Sequence, residues 1–240
     1  MIMNHRAATA WSRFSVALTL FLATILIGVL GPPAASATTR TVPLGTAAKF
    51  AVLAGSTVTN TGATVITGDL GLSPGTSVTG FPPGVVNGAI HAADGVAAQA
   101  KIDLDAAYND AAGRPVTATV PVELGGTTKT TGVYDSPAGT FGITGTLTLD
   151  AQGDPNAVFI FKAASTLITA SASKVVLANG ARSARVFWLV GSSATLGTYS
   201  VLRGNVMALA SITVTTGVVV RGRTMARTAA VTLDTNKITS

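Results

Sequence analysis

The chain has 240 residues, 11% charged and 48% hydrophobic, with a formal net charge of +6, a composition that can build a core and argues against disorder. It has no cysteine and only two histidines, His5 and His91, which removes disulfides, thiolate chemistry and cysteine-ligated metals. Glutamate occurs once, at Glu123, so reactions needing several converging titratable groups have little to draw on; no catalytic residue, metal ligand or cofactor is expected.

Arg6 and Arg13 lead into an uncharged apolar run from Phe14 to Leu30, followed by Ala35-Ser36-Ala37. This is the pattern of an export signal, with cleavage expected after Ala37 and a secreted, extracellular product. Residues 38–240 read as a single domain, and no later apolar run reaches membrane-spanning length. In that stretch 33 of 203 residues are threonine and 24 are glycine. β-Branched residues suit short pleated strands, and the glycines punctuate them with turns. Gly71-Leu72-Ser73-Pro74-Gly75 matches the string of a hydrolase nucleophile elbow, but Pro74 and the run Thr76-Ser77-Val78-Thr79 predict a turn into another strand, where the elbow requires a helix.

From Ala92 to Ala112 apolar positions recur at spacings of three and four, through Ala97, Ala100, Leu104, Ala107 and Ala111. This predicts one amphipathic helix, about 30 Å long at the standard rise, ended by Gly113 and Arg114-Pro115. His91 is read as a solvated polar residue at its entrance. Asp69, Asp135, Asp150, Asp154 and Asp234 are spread along the chain, whereas a polysaccharide-cleaving fold would gather carboxylates in one groove. Arg182, Arg185, Arg203, Arg221, Arg223 and Arg227 lack interleaved aromatics, so they are read as keeping one face solvated, with no nucleic-acid partner.

The C-terminal half repeats. Thr166-Leu167-Ile168-Thr169, Thr195-Leu196-Gly197-Thr198, Thr213-Val214-Thr215-Thr216 and Thr232-Leu233-Asp234-Thr235 share one pattern. A second series runs through Val158-Phe159-Ile160-Phe161, Val186-Phe187-Trp188-Leu189 and Val206-Met207-Ala208-Leu209, and a third through Val175-Val176-Leu177, Val201-Leu202 and Val218-Val219-Val220. Three short strands returning after about twenty residues predict a mainly β fold, a three-faced β-solenoid. Alternation then stacks Leu167, Leu196, Val214 and Leu233 inside and sets Thr166, Thr195, Thr213 and Thr232 in an outward column. A second outward column takes Ile168, Gly197, Thr215 and Asp234, and the windows at Thr57, Thr59 and Thr140 are assigned to the same face.

Such a face is a grid of hydroxyls and methyls on side chains stiff at χ1, which lose little entropy on meeting a rigid partner. A periodic solid is the natural target, and in water that solid is ice. The alternative is an extracellular solenoid adhesin whose flat face meets a glycan or protein surface.

Several stretches carry a resemblance: Leu44-Gly45-Thr46-Ala47, Phe50-Ala51-Val52-Leu53-Ala54-Gly55, Thr59-Asn60-Thr61-Gly62, Gly68-Asp69-Leu70-Gly71, Asn156-Ala157-Val158-Phe159-Ile160-Phe161 and Arg185-Val186-Phe187-Trp188. In order and spacing, from Leu44 to Ile238, the chain resembles the microbial ice-binding (antifreeze) protein family. The resemblance implies an irregular right-handed β-solenoid with a long α-helix alongside, an exported protein, and a flat face that adsorbs to ice and pins its growth. Carried onto this chain, the contact residues are Thr166, Thr195, Thr213, Thr215 and Thr232, with Thr57, Thr59 and Thr140. The expected partner is the ice surface, met by a monomer, with thermal hysteresis and inhibition of recrystallisation as the outcome. Asp234 is expected to interrupt the face by holding liquid-like water.

Overall fold

Each circuit of the chain lays down three short strands, and successive circuits pair in parallel with their neighbours. The computed structural model describes residues 40–240, so the export segment and its cleavage point lie outside the described residues. The chain begins in the middle of the stack, with Phe50–Ala54, Thr57–Thr61 and Val65–Thr67, and adds Asp69–Leu72, Ser77–Thr79, Val85–Asn87 and Ile90–Ala92 toward one end. Helix α1 (Gly95–Gly113) then returns along one side, and the strands resume at Ala118–Thr119 at the other end. Later circuits climb back until Val231–Asp234 pairs with Thr57–Thr61 and Lys237–Thr239 pairs with Val65–Thr67. The β-solenoid is continuous in space and interrupted in sequence.

Composition explains the three sides. The helix-bearing side includes Phe159–Ala163 and Val186–Val190, which are buried on both faces except at Lys162 and therefore read as apolar runs that only this lysine interrupts. Their inward residues, such as Phe161 and Trp188, line the solenoid interior, while Ile160, Phe187, Leu189, Met207 and Met225 point the other way into a second core. Helix α1 covers that second core with Ala100, Leu104, Ala107 and Ala111. Inside the solenoid the rings of Tyr134, Phe161 and Trp188 stack on consecutive circuits, with centroids 5.2 and 4.4 Å apart.

The second side is a seven-stranded parallel sheet on which strands such as Ala194–Leu196 are buried, exposed, buried in turn. The third side carries Thr146–Asp150, Lys174–Ala178, Lys237–Thr239, Val65–Thr67 and Val85–Asn87. Two long strands, Val201–Ala208 and Val219–Ala226, fold across the corner from the third side to the helix-bearing side. They bend at the paired residues Gly204 and Gly222, whose φ values are 114° and 142°. A Cβ on Gly222 would lie 1.9 Å from the carbonyl oxygen of Gly204, so glycine is required there.

The helix starts later than its periodicity predicts, because Ala92 closes a strand and Asp94 is the N-cap, accepting from the Ala97 amide at 2.8 Å. His91 Nδ1 lies 2.7 Å from Asp94 Oδ2, and its ring meets Phe50 edge to face. The helix is docked by polar contacts as well as apolar ones. Asp103 Oδ2 accepts from the amide and hydroxyl of Thr46, both at 2.7 Å, and these bonds hold its carboxyl below the ordinary carboxylate range. Lys101 donates to the carbonyls of Ala226 and Arg227, both at 2.6 Å, and burial pushes its pKa down to about 8.

Arg223 and Arg227 do not serve solvation as expected. Arg227 pairs with Asp105 at 2.6 Å and lies 4.4 Å over the Tyr108 ring, and Arg223 donates to the Ala48 carbonyl and to Asn205 Oδ1. Both tie the body of the solenoid to the helix side.

Candidate functional site

The seven-stranded sheet brings every sequence-predicted site residue to one side of the molecule. Its strand order is Phe141–Ile143, Leu167–Thr169, Ala194–Leu196, Ile212–Val214, Val231–Asp234, Thr57–Thr61 and Ser77–Thr79. Register fixes the central outward column as Gly142, Ile168, Thr195, Thr213, Thr232, Thr59 and Thr79. Five consecutive strands thus present threonine at the same position. With neighbouring strands about 4.8 Å apart, those five hydroxyl-and-methyl groups span about 19 Å. Thr59 Oγ1 donates to Thr232 Oγ1 at 3.4 Å, so the hydroxyls touch across the strand pair where early and late chain segments meet.

Two further outward columns flank the central one. Thr57 pairs with Ser77, and by the same register Thr140, Thr166, Ser193 and Ser211 stand two residues before the central position. Ser193 Oγ and Ser211 Oγ are 2.9 Å apart. On the other flank Thr61 pairs with Asp234, with Thr215 and Gly197 continuing the row. The three columns make a face about 29 Å by 13 Å, from six strand gaps and two alternate-residue steps.

The windows of the repeat do not align quite as their sequence suggests. Ile168, not Thr166, pairs with Thr195, so Thr166 belongs to the flank and Ile168, 54% exposed, occupies the central column. Likewise Leu167 stacks on Ala194, and the inward position beside Leu196, Val214 and Leu233 is taken by Thr169, which is buried. The slip is two residues, which preserves the side a residue faces while changing its neighbours. Thr169 is accommodated inside because its hydroxyl accepts from the Gly197 amide at 2.8 Å and donates to Ser200 Oγ at 3.2 Å.

Polar groups at the margins are satisfied by the protein itself. Asp234 takes hydroxyl hydrogen bonds from Thr216 on one carboxylate oxygen and from Thr235 on the other, so its charge is less open to water than the sequence implied. Thr215 donates to the Leu196 carbonyl at 2.7 Å, so its hydroxyl proton is taken up within the protein. At the far edge, Glu123 bridges to Gly142. Partial burial of Glu123 works against ionisation, but bonds from the Thr144 and Gly125 amides and the Thr144 hydroxyl outweigh it and lower its pKa.

Sequence reasoning missed Thr79, Thr61, Ser77, Ser193 and Ser211. The Thr-x-Thr spacing of Thr59 and Thr61 and the Ser-x-Thr spacing of Ser77 and Thr79 were the available signal, since period two places both members on one side. The hydrolase-like string runs from the strand Asp69–Leu72 through Ser73-Pro74 into the strand Ser77–Thr79, with no helix after the serine. Among the described residues no three or more of His, Asp and Glu come together as metal ligands. No helix among them is long and apolar enough to cross a membrane.

Known proteins share both the sequence and the fold of this chain. An ice-binding protein of Nostoc sp. (strain HG1) is 54% identical over 199 residues, covering 82% of this chain and 73% of that protein. The crystal structure of an ice-binding protein from an Antarctic biological consortium superposes with a TM-score of 0.83 at 48% identity, covering 87% of this chain and 95% of that one. That of the Antarctic ascomycete Antarctomyces psychrotrophicus gives 0.80 at 45% identity, covering 83% and 98%. The sequence profile described as ice-binding-like matches residues 52–239, and with these relatives it places the chain in the ice-binding-like protein family.

Proposed function

We propose that the protein binds the surface of ice crystals through the outward side of the seven-stranded sheet, and that Thr195, Thr213, Thr232, Thr59 and Thr79 form the centre of the contact. Thr57, Thr140, Thr166 and Thr215 flank it. The observation that carries this reading is the uninterrupted central column of five threonines held in register by parallel pairing. Methyl groups on a rigid sheet order the water above them, and hydroxyls spaced by the strand repeat anchor that layer. Because the side chains are stiff and the backbone fixed, adsorption costs little conformational entropy.

Adsorbed molecules then pin the growing front, so that ice advances only between them and its curvature opposes further growth. Thermal hysteresis and inhibition of recrystallisation follow. The protein acts as a secreted monomer without catalysis or cofactor, after removal of residues 1–37. The test is direct: a single small ice crystal held just below melting in purified protein should facet and stop growing. An unshaped crystal that grows freely would reject the proposal. A dye-labelled protein should also be retained in ice grown slowly from solution, while a labelled non-binding protein is excluded.

A further inference from the structure

The corner between the third side and the helix-bearing side carries a concentration of positive charge that the threonine face does not use. Arg203 and Arg221 occupy paired positions on the two long strands, about one strand spacing apart, and both point outward from the corner glycines that follow them. Together with Arg223, Lys237, Ser183 and Thr239 they line a groove of about 730 Å³. No acidic side chain lines it, and among the described residues no carboxylate lies within 4.0 Å of any of these cations.

Like charges placed directly across a strand pair destabilise a sheet. Here the arrangement goes further, because Arg203 Nε is buried without a hydrogen-bond partner. Burial, and then the neighbouring Arg221 charge, lower the pKa of Arg203 below the ordinary arginine range. Arg203 Nε, with no protein acceptor and a second guanidinium across the strand pair, is suited to an anionic acceptor, which would also offset the repulsion.

We infer that this groove binds a tetrahedral oxyanion, a phosphate or sulfate group, between Arg203 and Arg221, with Lys237 adding charge and the Ser183 and Thr239 hydroxyls able to donate. Two arginine forks suit the several acceptor oxygens of such a group. In a three-sided coil the corner between two sides lies opposite the third, so the site sits across the body from the threonine sheet. An anion bound there leaves the threonine face free, and when the anion belongs to a polymer the protein is tethered with that face outward.

The experiment is calorimetric titration of the protein with sodium phosphate against a sodium chloride control of equal ionic strength. The expected result is saturable phosphate binding with a Kd of about 1 mM or tighter, weakened at least tenfold in Arg203→Gln/Arg221→Gln and unchanged in Thr213→Tyr. Melting in phosphate-free buffer checks folding, and the double variant should melt no lower than the parent because a like-charge repulsion is gone. Should it fail to fold, Arg221→Gln alone, at an exposed position, carries the same binding prediction. Long-chain polyphosphate at equal phosphorus distinguishes the source: tighter binding than orthophosphate assigns a polymer-borne group, and equal binding a free anion. Absence of saturable binding to both, equal binding of chloride, or binding unaltered in the variants would overturn the inference.

Discussion

Substituting Thr213 by Tyr gives the sharpest test of which face meets ice. Thr213 is the fourth of seven positions in the central outward column and sits between Thr195 and Thr232. Its side chain packs against nothing inside the sheet, and tyrosine is well suited to an exposed strand, so stability should change by no more than about 0.5 kcal/mol. The ring would project several ångström above neighbouring methyls and hold a flat crystal away from the strands within about 10 Å on either side. That covers two strands in each direction, or five of the seven. Thermal hysteresis should therefore fall below about a tenth of the parent value, because most of the threonine face no longer reaches the crystal. Thr140→Tyr, three strand gaps away at the sheet edge, should leave a larger share of activity. Val176→Tyr on the third side, where Val176 is 41% exposed, should leave activity whole. The assay is nanolitre osmometry with circular dichroism as the folding control. A folded Thr213→Tyr protein with undiminished hysteresis would refute the assignment of the face.

Other consequences concern the scaffold. Trp188→Ala removes the inner end of the aromatic stack from a fully buried site and should cost about 3–5 kcal/mol, read as a lower denaturant midpoint. Gly222→Ala forces a Cβ against the Gly204 carbonyl and should lower the melting temperature by more than the few degrees of an ordinary surface change. Lys101 should impose a pH dependence. Its folded pKa, about 8, lies below the ordinary 10.5, so between those values the unfolded chain holds more protons. Stability attributable to this group therefore rises with pH across that window, by at most about 1.4 kcal/mol per unit. In Lys101→Met that rise should vanish from urea titrations between pH 8 and 10; a slope that persists would show that other groups cause it.

The sequence made the class of fold and the side of the sheet legible because both depend on alternation. Threonine, valine and isoleucine recurring every other residue fix which residues point outward, and a helix stripe in a strand-rich chain stands out by its spacing. Register was less legible. The runs at Val158, Val186 and Val206 look alike at offsets of 28 and 20, yet the strands pair Phe159 with Val186 and Phe187 with Asn205. In a strand buried on both faces one valine or phenylalanine substitutes for another, so composition does not set the pairing; the glycine corners at Gly204 and Gly222 do. The roles of Arg223 and Arg227 are hidden for a related reason, since a charge count does not reveal that Arg227 reaches Asp105 on α1 or that Arg223 reaches the Ala48 carbonyl, each more than a hundred residues earlier.

Least legible was the order of the stack. Nothing in the periodicity indicates that the first circuits sit beyond the last, and yet the central column depends on it. Thr195, Thr213 and Thr232 come from the climbing half of the chain, Thr59 and Thr79 from its start, and the two groups join only where Val231–Asp234 meets Thr57–Thr61. That seam is held by the Gly55 amide on the Ala229 carbonyl and the Thr235 amide on the Thr61 carbonyl, both at 2.9 Å, and by the Asn236 amide on Thr64 Oγ1 at 3.0 Å. These hydrogen bonds join residues more than 170 positions apart, so they form only after α1 has carried the chain from one end of the stack to the other, a topology that makes folding slow relative to local structures. A surface that adsorbs to a crystal needs its columns to act together, and the five-threonine column cannot be assembled from either half alone. The proposed ice-binding face is therefore a property of the closed solenoid, and opening the seam would divide the column into three and two.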